Sequence, residues 1–215
     1  MKSPLSFFLW IGLCLAHSAA AAKTDDEMFF KSAAEVNGGE LLFLKDAPAK
    51  PVHHHQNHMV ITEASLVDGW VKLSQCHSNI DAVPSSQITY GNGRTRDLRV
   101  TRFEHIGKAW VEGNTVQMRD IAREATICIE AETRALASDD QGGFMLKNGP
   151  YMRGFLDGFY PMRVTMTVRL QAAGLSFRDI EPAPQPGFTV NATEREVSFD
   201  ALFEGRLNTR IRFFR

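Results

Sequence analysis

Met162-Arg163-Val164-Thr165-Met166-Thr167-Val168-Arg169-Leu170 alternates without a break. Val164, Met166, Val168 and Leu170 fall on one side of an extended chain, and Arg163, Thr165, Thr167 and Arg169 on the other. A period of two predicts a strand with one buried and one wet face. Wound as a helix, the same residues would scatter their apolar groups around the cylinder. Arg206 to Phe214 repeats the pattern, with Leu207, Thr209, Ile211 and Phe213 against Arg206, Asn208, Arg210 and Arg212.

Working outward, Val197 to Phe203 is a further strand, reached through the proline-rich loop Pro182 to Gly187. Upstream, Thr126 to Leu136 sets Ile127, Ile129, Ala131 and Thr133 against Cys128, Glu130 and Glu132. Glu40 to Leu44, His58 to Ala64, Trp70 to Cys76 and Lys108 to Val111 read as strands too. Gly91-Asn92-Gly93 is a turn signal that predicts a hairpin from Gln87–Tyr90 into Arg96–Phe103. About ten strands separated by Gly, Asn and Pro turns predict an all-β fold, an antiparallel β-sandwich. Met152, Phe155, Leu156 and Phe159 have helical spacing, and Arg153 and Asp157 stand four apart, which predicts one short helix capping the sandwich.

The chain opens with Lys2, an apolar run through Leu15, small residues from Ser18 to Ala22, and then the charged stretch from Lys23 to Glu27. This is the layout of a secretory signal peptide, an N-terminal signal helix removed near Ala20 or Ala22. A membrane anchor needs about 20 apolar residues, and this run breaks at His17-Ser18. The expected organisation is a signal peptide over 1–22, an N-terminal arm over 23–39 and a single β-sandwich domain over 40–215. No other stretch is apolar and long enough for a transmembrane helix after the leader is removed. The expected location is secreted or periplasmic.

With 24 basic and 25 acidic residues the net charge is −1, so no global field recruits nucleic acid. Hydrophobic content of 44% is enough for a packed core and argues against disorder. Cys76 and Cys128 survive removal of the leader, and an even count in an oxidising compartment predicts a disulfide. Their separation resembles that of the inter-sheet bridge of an immunoglobulin-like domain. The resemblance covers the two cysteines only: Trp110 lies too far beyond Cys76 for the core tryptophan, and Thr126 stands where a tyrosine corner would need Tyr.

Candidate chemistry centres on histidine. His53, His54, His55 and His58 cluster, and His77 follows Cys76. Neutral imidazole ligates copper and zinc. In an extended segment His53 and His55 project to one side and His54 to the other, so a metal site would need a further ligand from His58, His77 or His105. No HExxH, CxxC or GxSxG pattern completes a catalytic set. Ser78 beside His77 and Asp81, the pair Glu130/Glu132, and Asp139-Asp140 are weaker combinations. Arg206, Arg210 and Arg212, if adjacent to the cluster Arg94, Arg96, Arg99 and Arg102, would form a basic patch for an anionic ligand, although acidic residues balance them overall. Asn191-Ala192-Thr193 is a glycosylation sequon whose use depends on the host. The leading expectation is an exported, non-enzymatic protein that binds a ligand or protein partner. The alternatives are a copper- or zinc-binding protein using the histidines and a small outer-membrane β-barrel.

Overall fold

The computed structural model describes residues 37–155, 157–172 and 174–215. The expected leader and the arm up to residue 36 lie outside the described residues. In chain order the elements are β1 (Leu42–Phe43), β2 (His53–Ile61), α1 (Glu63–Asp68), β3 (Trp70–Ile80), β4 (Ser85–Thr89), β5 (Thr95–Glu112), β6 (Thr115–Arg134), β7 (Leu136–Ser138) and β8 (Phe144–Tyr151), followed by β9 (Gly154–Phe155), β10 (Gly158–Phe159), β11 (Met162–Leu170), β12 (Ser176–Glu181), β13 (Phe188–Ala192), β14 (Glu196–Glu204) and β15 (Leu207–Phe214).

The strands form a main sheet in the order β1-β14-β11-β2-β3-β6-β4, with β13 also on β14 and β5 also on β6. A smaller sheet runs β12-β15-β8-β7, and β9 pairs with β10. The alternation of β11 and β15 is realised as expected: Met162, Val164, Met166 and Val168, like Leu207, Ile211 and Phe213, are buried. These two inner faces meet in one hydrophobic cluster that also takes in Leu146, Phe188, Phe199 and Phe203. The fold is therefore all-β and sandwich-like, and none of its sheets closes into a barrel.

Four expectations are corrected. The sheet is not wholly antiparallel, because β11 runs parallel to β2, from Met162 opposite His53 to Leu170 opposite Ile61. A parallel neighbour needs a long crossover, and here everything from α1 to β10 supplies it. The capping helix is a β-hairpin instead, β9 against β10. Gly154 and Gly158 have weak helix propensity, and Arg153 reaches Asp81 rather than Asp157, with Nε to Oδ2 at 2.9 Å. The described helix is α1, where strand alternation had extended through Ala64. Thr62 and Ser65 form a reciprocal capping box that starts it, and Gly69 at φ 78° ends it. Finally, β4 does not pair with β5, because β6 lies between them.

That last correction follows from a bent hairpin. A 20-residue strand like β6 spans up to ~66 Å if straight. Yet the Tyr90 amide bonds to Asn114 at one end of β6, and the Arg94 carbonyl accepts from Arg134 at the other. The chain from Tyr90 to Arg94 can reach only ~14 Å, so the β5–β6 hairpin curls back on itself. Asp97, His105, Asp120 and Glu124 have positive φ. Breaks in the β5–β6 register fall beside Asp97 and His105, and bulges of this kind add bend and twist. The curl encloses a second core of Ile106, Val116, Met118, Ile121, Ile127 and Ile129.

Gly205 joins β14 to β15 at φ 87°, and a Cβ there would collide with the Glu40 carbonyl. Gly205→Ala is expected to lower stability by about 2 kcal/mol or more, strain and clash adding together. Gly113, at φ 58° with open space around it, isolates the conformational part. Thermal denaturation should show the Gly205 variant melting clearly below Gly113→Ala; equal losses would refute the close approach.

Candidate functional site

A cleft of about 700 Å³ opens between the main sheet and the four-stranded sheet. Strand alternation sets its chemistry. On β2, His53, His55, Asn57 and Met59 share the inner face, and on β3 Leu73, Gln75 and His77 do so. Tyr90 approaches from the loop after β4, Tyr151 ends β8, and Thr209 stands on β15. A stretch that would otherwise be apolar core is thus occupied by amides, imidazoles and hydroxyls.

Four of these groups form a chain. Tyr90 Oη donates to Gln75 Oε1 at 3.1 Å. Burial pushes the Tyr90 hydroxyl pKa well above its ordinary value, so the proton is present to be donated. The Gln75 amide nitrogen then donates to His77 Nε2 at 2.6 Å. With Nε2 accepting, neutral His77 carries its proton on Nδ1 and donates it to His53 Nε2, 2.8 Å away. Neutral His53 is left with its proton on Nδ1. His55 stacks on His77, ring centroids 4.1 Å apart, and meets Tyr151 edge-on at 5.1 Å.

Burial keeps these imidazoles neutral. It pushes His53 down to about 4, with Arg153 and His54 adding to the effect and Asp81 opposing it. Burial, followed by the neighbouring His53, pushes His55 down to about 3. His77 is held well below its ordinary value by burial and then by His55 and His53. Three buried polar atoms, His55 Nε2, Asn57 Nδ2 and Thr209 Oγ1, have no hydrogen-bond partner among the described residues. Beside His53, Arg153 is clamped by the Asp81 carboxylate and donates to the Pro161 carbonyl at 3.1 Å.

The structure brings together His53, His55 and His77, and it separates His58, which is exposed on the opposite face of β2. Parity alone requires this, since His58 is an odd number of residues from both His53 and His55. His105 sits on the far hairpin, near the Glu124 carbonyl at 3.3 Å. Among the described residues, no group of three or more His, Cys, Asp or Glu side chains is arranged to hold a metal ion. The reason is visible in the chain of bonds: both nitrogens of His77 are already engaged, so the rings do not aim lone pairs at a common point.

The other candidates are accounted for by their neighbours. Cys76 and Cys128 form the expected disulfide, but within one sheet, directly opposed on β3 and β6 with Cα atoms 4.1 Å apart. It is therefore not an inter-sheet bridge. Arg210 pairs with Glu181 at 3.2 Å, and Arg212 with Asp179 at 2.6 Å and Glu181 at 2.5 Å. Arg206 lies over the Phe159 ring at 4.6 Å. The expected basic patch is thus largely neutralised by β12 and divided. Glu130 and Glu132 pair with Arg99 and Arg96, Ser78 lies on the face of β3 opposite His77, and Asp139 caps its own loop at Gly143 and Gln141. Gln75, Asn57, Tyr90, Tyr151 and Thr209 escaped the sequence reading. The available signal was polar residues at inward positions, Asn57 in phase with Met59 and Thr209 in phase with Ile211.

No protein-family model matches the chain, and no curated protein sequence matches it.

Proposed function

We propose that this protein is an exported, non-enzymatic β-sandwich that binds a small molecule in the cleft between its two sheets. The observation that carries this reading is the concentration of polar side chains on inward-facing positions of both sheets. It includes three buried atoms without a hydrogen-bond partner among the described residues. An unmet buried polar atom costs ~1–3 kcal/mol, and the strands could have filled these positions with Leu or Val. A ligand supplying the missing bonds would offset that cost. Small-molecule sites are usually clefts in which a few convergent polar groups are set among apolar and aromatic side chains, and here Met59, Leu73, Met162 and Tyr151 supply the apolar part.

The non-enzymatic part rests on how the reactive groups are spent. His53 Nε2 and both His77 nitrogens are held in hydrogen bonds, the cysteines are bonded to one another, and the Asp81 carboxylate holds Arg153. The exported part rests on the leader, and secretion or a periplasmic location is expected to follow from it. The protein purified without its leader and without a histidine tag should be screened against small polar metabolites by thermal shift. Compounds that raise the melting temperature should lose their effect in Asn57→Leu and Thr209→Val. A screen in which nothing at millimolar concentration shifts the wild type, or in which both variants respond unchanged, would overturn the reading.

A further inference from the structure

Resting on that reading, we infer that the cleft takes an uncharged ligand of mono- to disaccharide size, rich in hydroxyl or carboxamide groups. The first argument is charge. Among the described residues, no aspartate or glutamate borders the cleft. Three basic residues border it, all of them solvent-exposed. Lys147 and Arg210 occupy outward positions of β8 and β15, alternating with the buried Leu146 and with Thr209 and Ile211. Arg210 is engaged by Glu181. Arg94 is exposed and donates to the Arg134 carbonyl at 3.4 Å. The imidazoles in the interior are neutral at pH 7. A cationic ligand would therefore lose its hydration with no carboxylate to meet it, and an anionic one drawn into the interior would have only solvent-exposed cations at the border to set against a large desolvation cost.

The second argument is the balance of donors and acceptors. The chain from Tyr90 to His53 makes His53 a donor through Nδ1. Asn57 Nδ2 can only donate, Thr209 Oγ1 both donates and accepts, and His55 Nε2 does one or the other by tautomer. Hydroxyl and carboxamide groups match such a mixture, because each offers both roles. A carboxylate would satisfy the donors only, and an ammonium the acceptors only. The third argument is apolar surface: Met59, Met162 and the Tyr151 ring border the same space and suit the C–H faces of a sugar or polyol.

The test uses matched sets of one skeleton in three charge states, such as N-acetylglucosamine, glucosamine and glucuronate, with parallel sets of polyols and small amides. Thermal shift and calorimetric titration of the leader-free protein at pH 7.5 supply the readout. The expected result is binding confined to uncharged members, with acid and amine counterparts at least tenfold weaker. Thr209→Val and Asn57→Leu should each weaken the uncharged ligand severalfold while circular dichroism stays unchanged. Acids or amines that bind as well as their uncharged counterparts would overturn the inference and leave the cleft reading standing. No binding in any set, together with a failed metabolite screen, would remove both.

Discussion

Lowering the pH from 7.5 to 5 is expected to destabilise the protein by roughly 4 kcal/mol through His53 and His55, with His77 acting in the same direction. All three have folded-state pKa values below the ordinary 6.5, two of them pushed down to about 4 and about 3. The unfolded chain therefore binds protons first as pH falls. Stability from keeping the rings neutral is fully present above pH 6.5 and is lost progressively below it. His53 and His55 each cost ~1.4 kcal/mol per pH unit until the folded value is reached, or about 2 kcal/mol at pH 5. Total stabilities of 5–15 kcal/mol are usual, so the loss is a large fraction. For a domain of this size the melting temperature should fall by roughly 8–16 °C from these two rings. Carboxylates contribute little in this window, since their ordinary values lie below it. Melting curves at half-unit intervals check the prediction. His55→Leu removes one titrating ring and should flatten the slope. A wild-type melting temperature that is flat from pH 7.5 to 5 would sink it.

Removing the disulfide is the second large effect. Cys76 and Cys128 are 52 residues apart in sequence, and chain-entropy arguments assign such a loop ~4 kcal/mol of stabilisation, acting through the unfolded state. The bridge sits on the outer face of the main sheet, between strands that already pair from Trp70–Arg134 to His77–Ile127. The Cys76→Ser/Cys128→Ser variant should therefore keep its secondary structure and its cleft while melting about 8–16 °C lower. Ligand affinity should be unchanged in the folded variant, because His77 and Gln75 face the other way from Cys76. A melting temperature within a degree or two of wild type would show that the unfolded chain gains nothing from the link. Loss of binding with the fold intact would show that the outer face controls the inner one.

The strands were legible because their signal is local. In β11 and β15 a period of two needs nothing beyond the nearest neighbours, and Met162–Leu170 reads correctly from side-chain polarity alone. The pairing of Cys76 with Cys128 was legible because, with Cys14 assigned to the expected leader, two cysteines leave one combination. Where a local rule competed with a distant partner, the reading failed. Arg153 and Asp157 have the spacing of a helical pair, but Asp81, on a segment far away in sequence, takes the arginine. Gly91-Asn92-Gly93 has the chemistry of a hairpin turn, but β6 inserts between the two strands it would have joined.

The site divides in the same way. Alternation along β2 placed His53 and His55 on one face and His54 on the other before any fold was known, whereas His58, considered as a further ligand, turns out to lie on the exposed face. Charge alone suggested that Arg210 and Arg212 were free; the register of β12 against β15, with Glu181 opposite Arg210 and Asp179 opposite Arg212, paired them. By itself the sequence determined the all-β character, the inward and outward faces of strands such as β11 and β15, and the pairing of Cys76 with Cys128, because each depends on alternation or on composition. Only the tertiary structure decided that His53 and His55 meet His77, that Tyr90 and Gln75 complete a hydrogen-bonded chain, and that Thr209 faces Asn57's sheet across a cleft. Those contacts join segments far apart in sequence, and their register is set by packing of the two sheets rather than by any property of the segments alone.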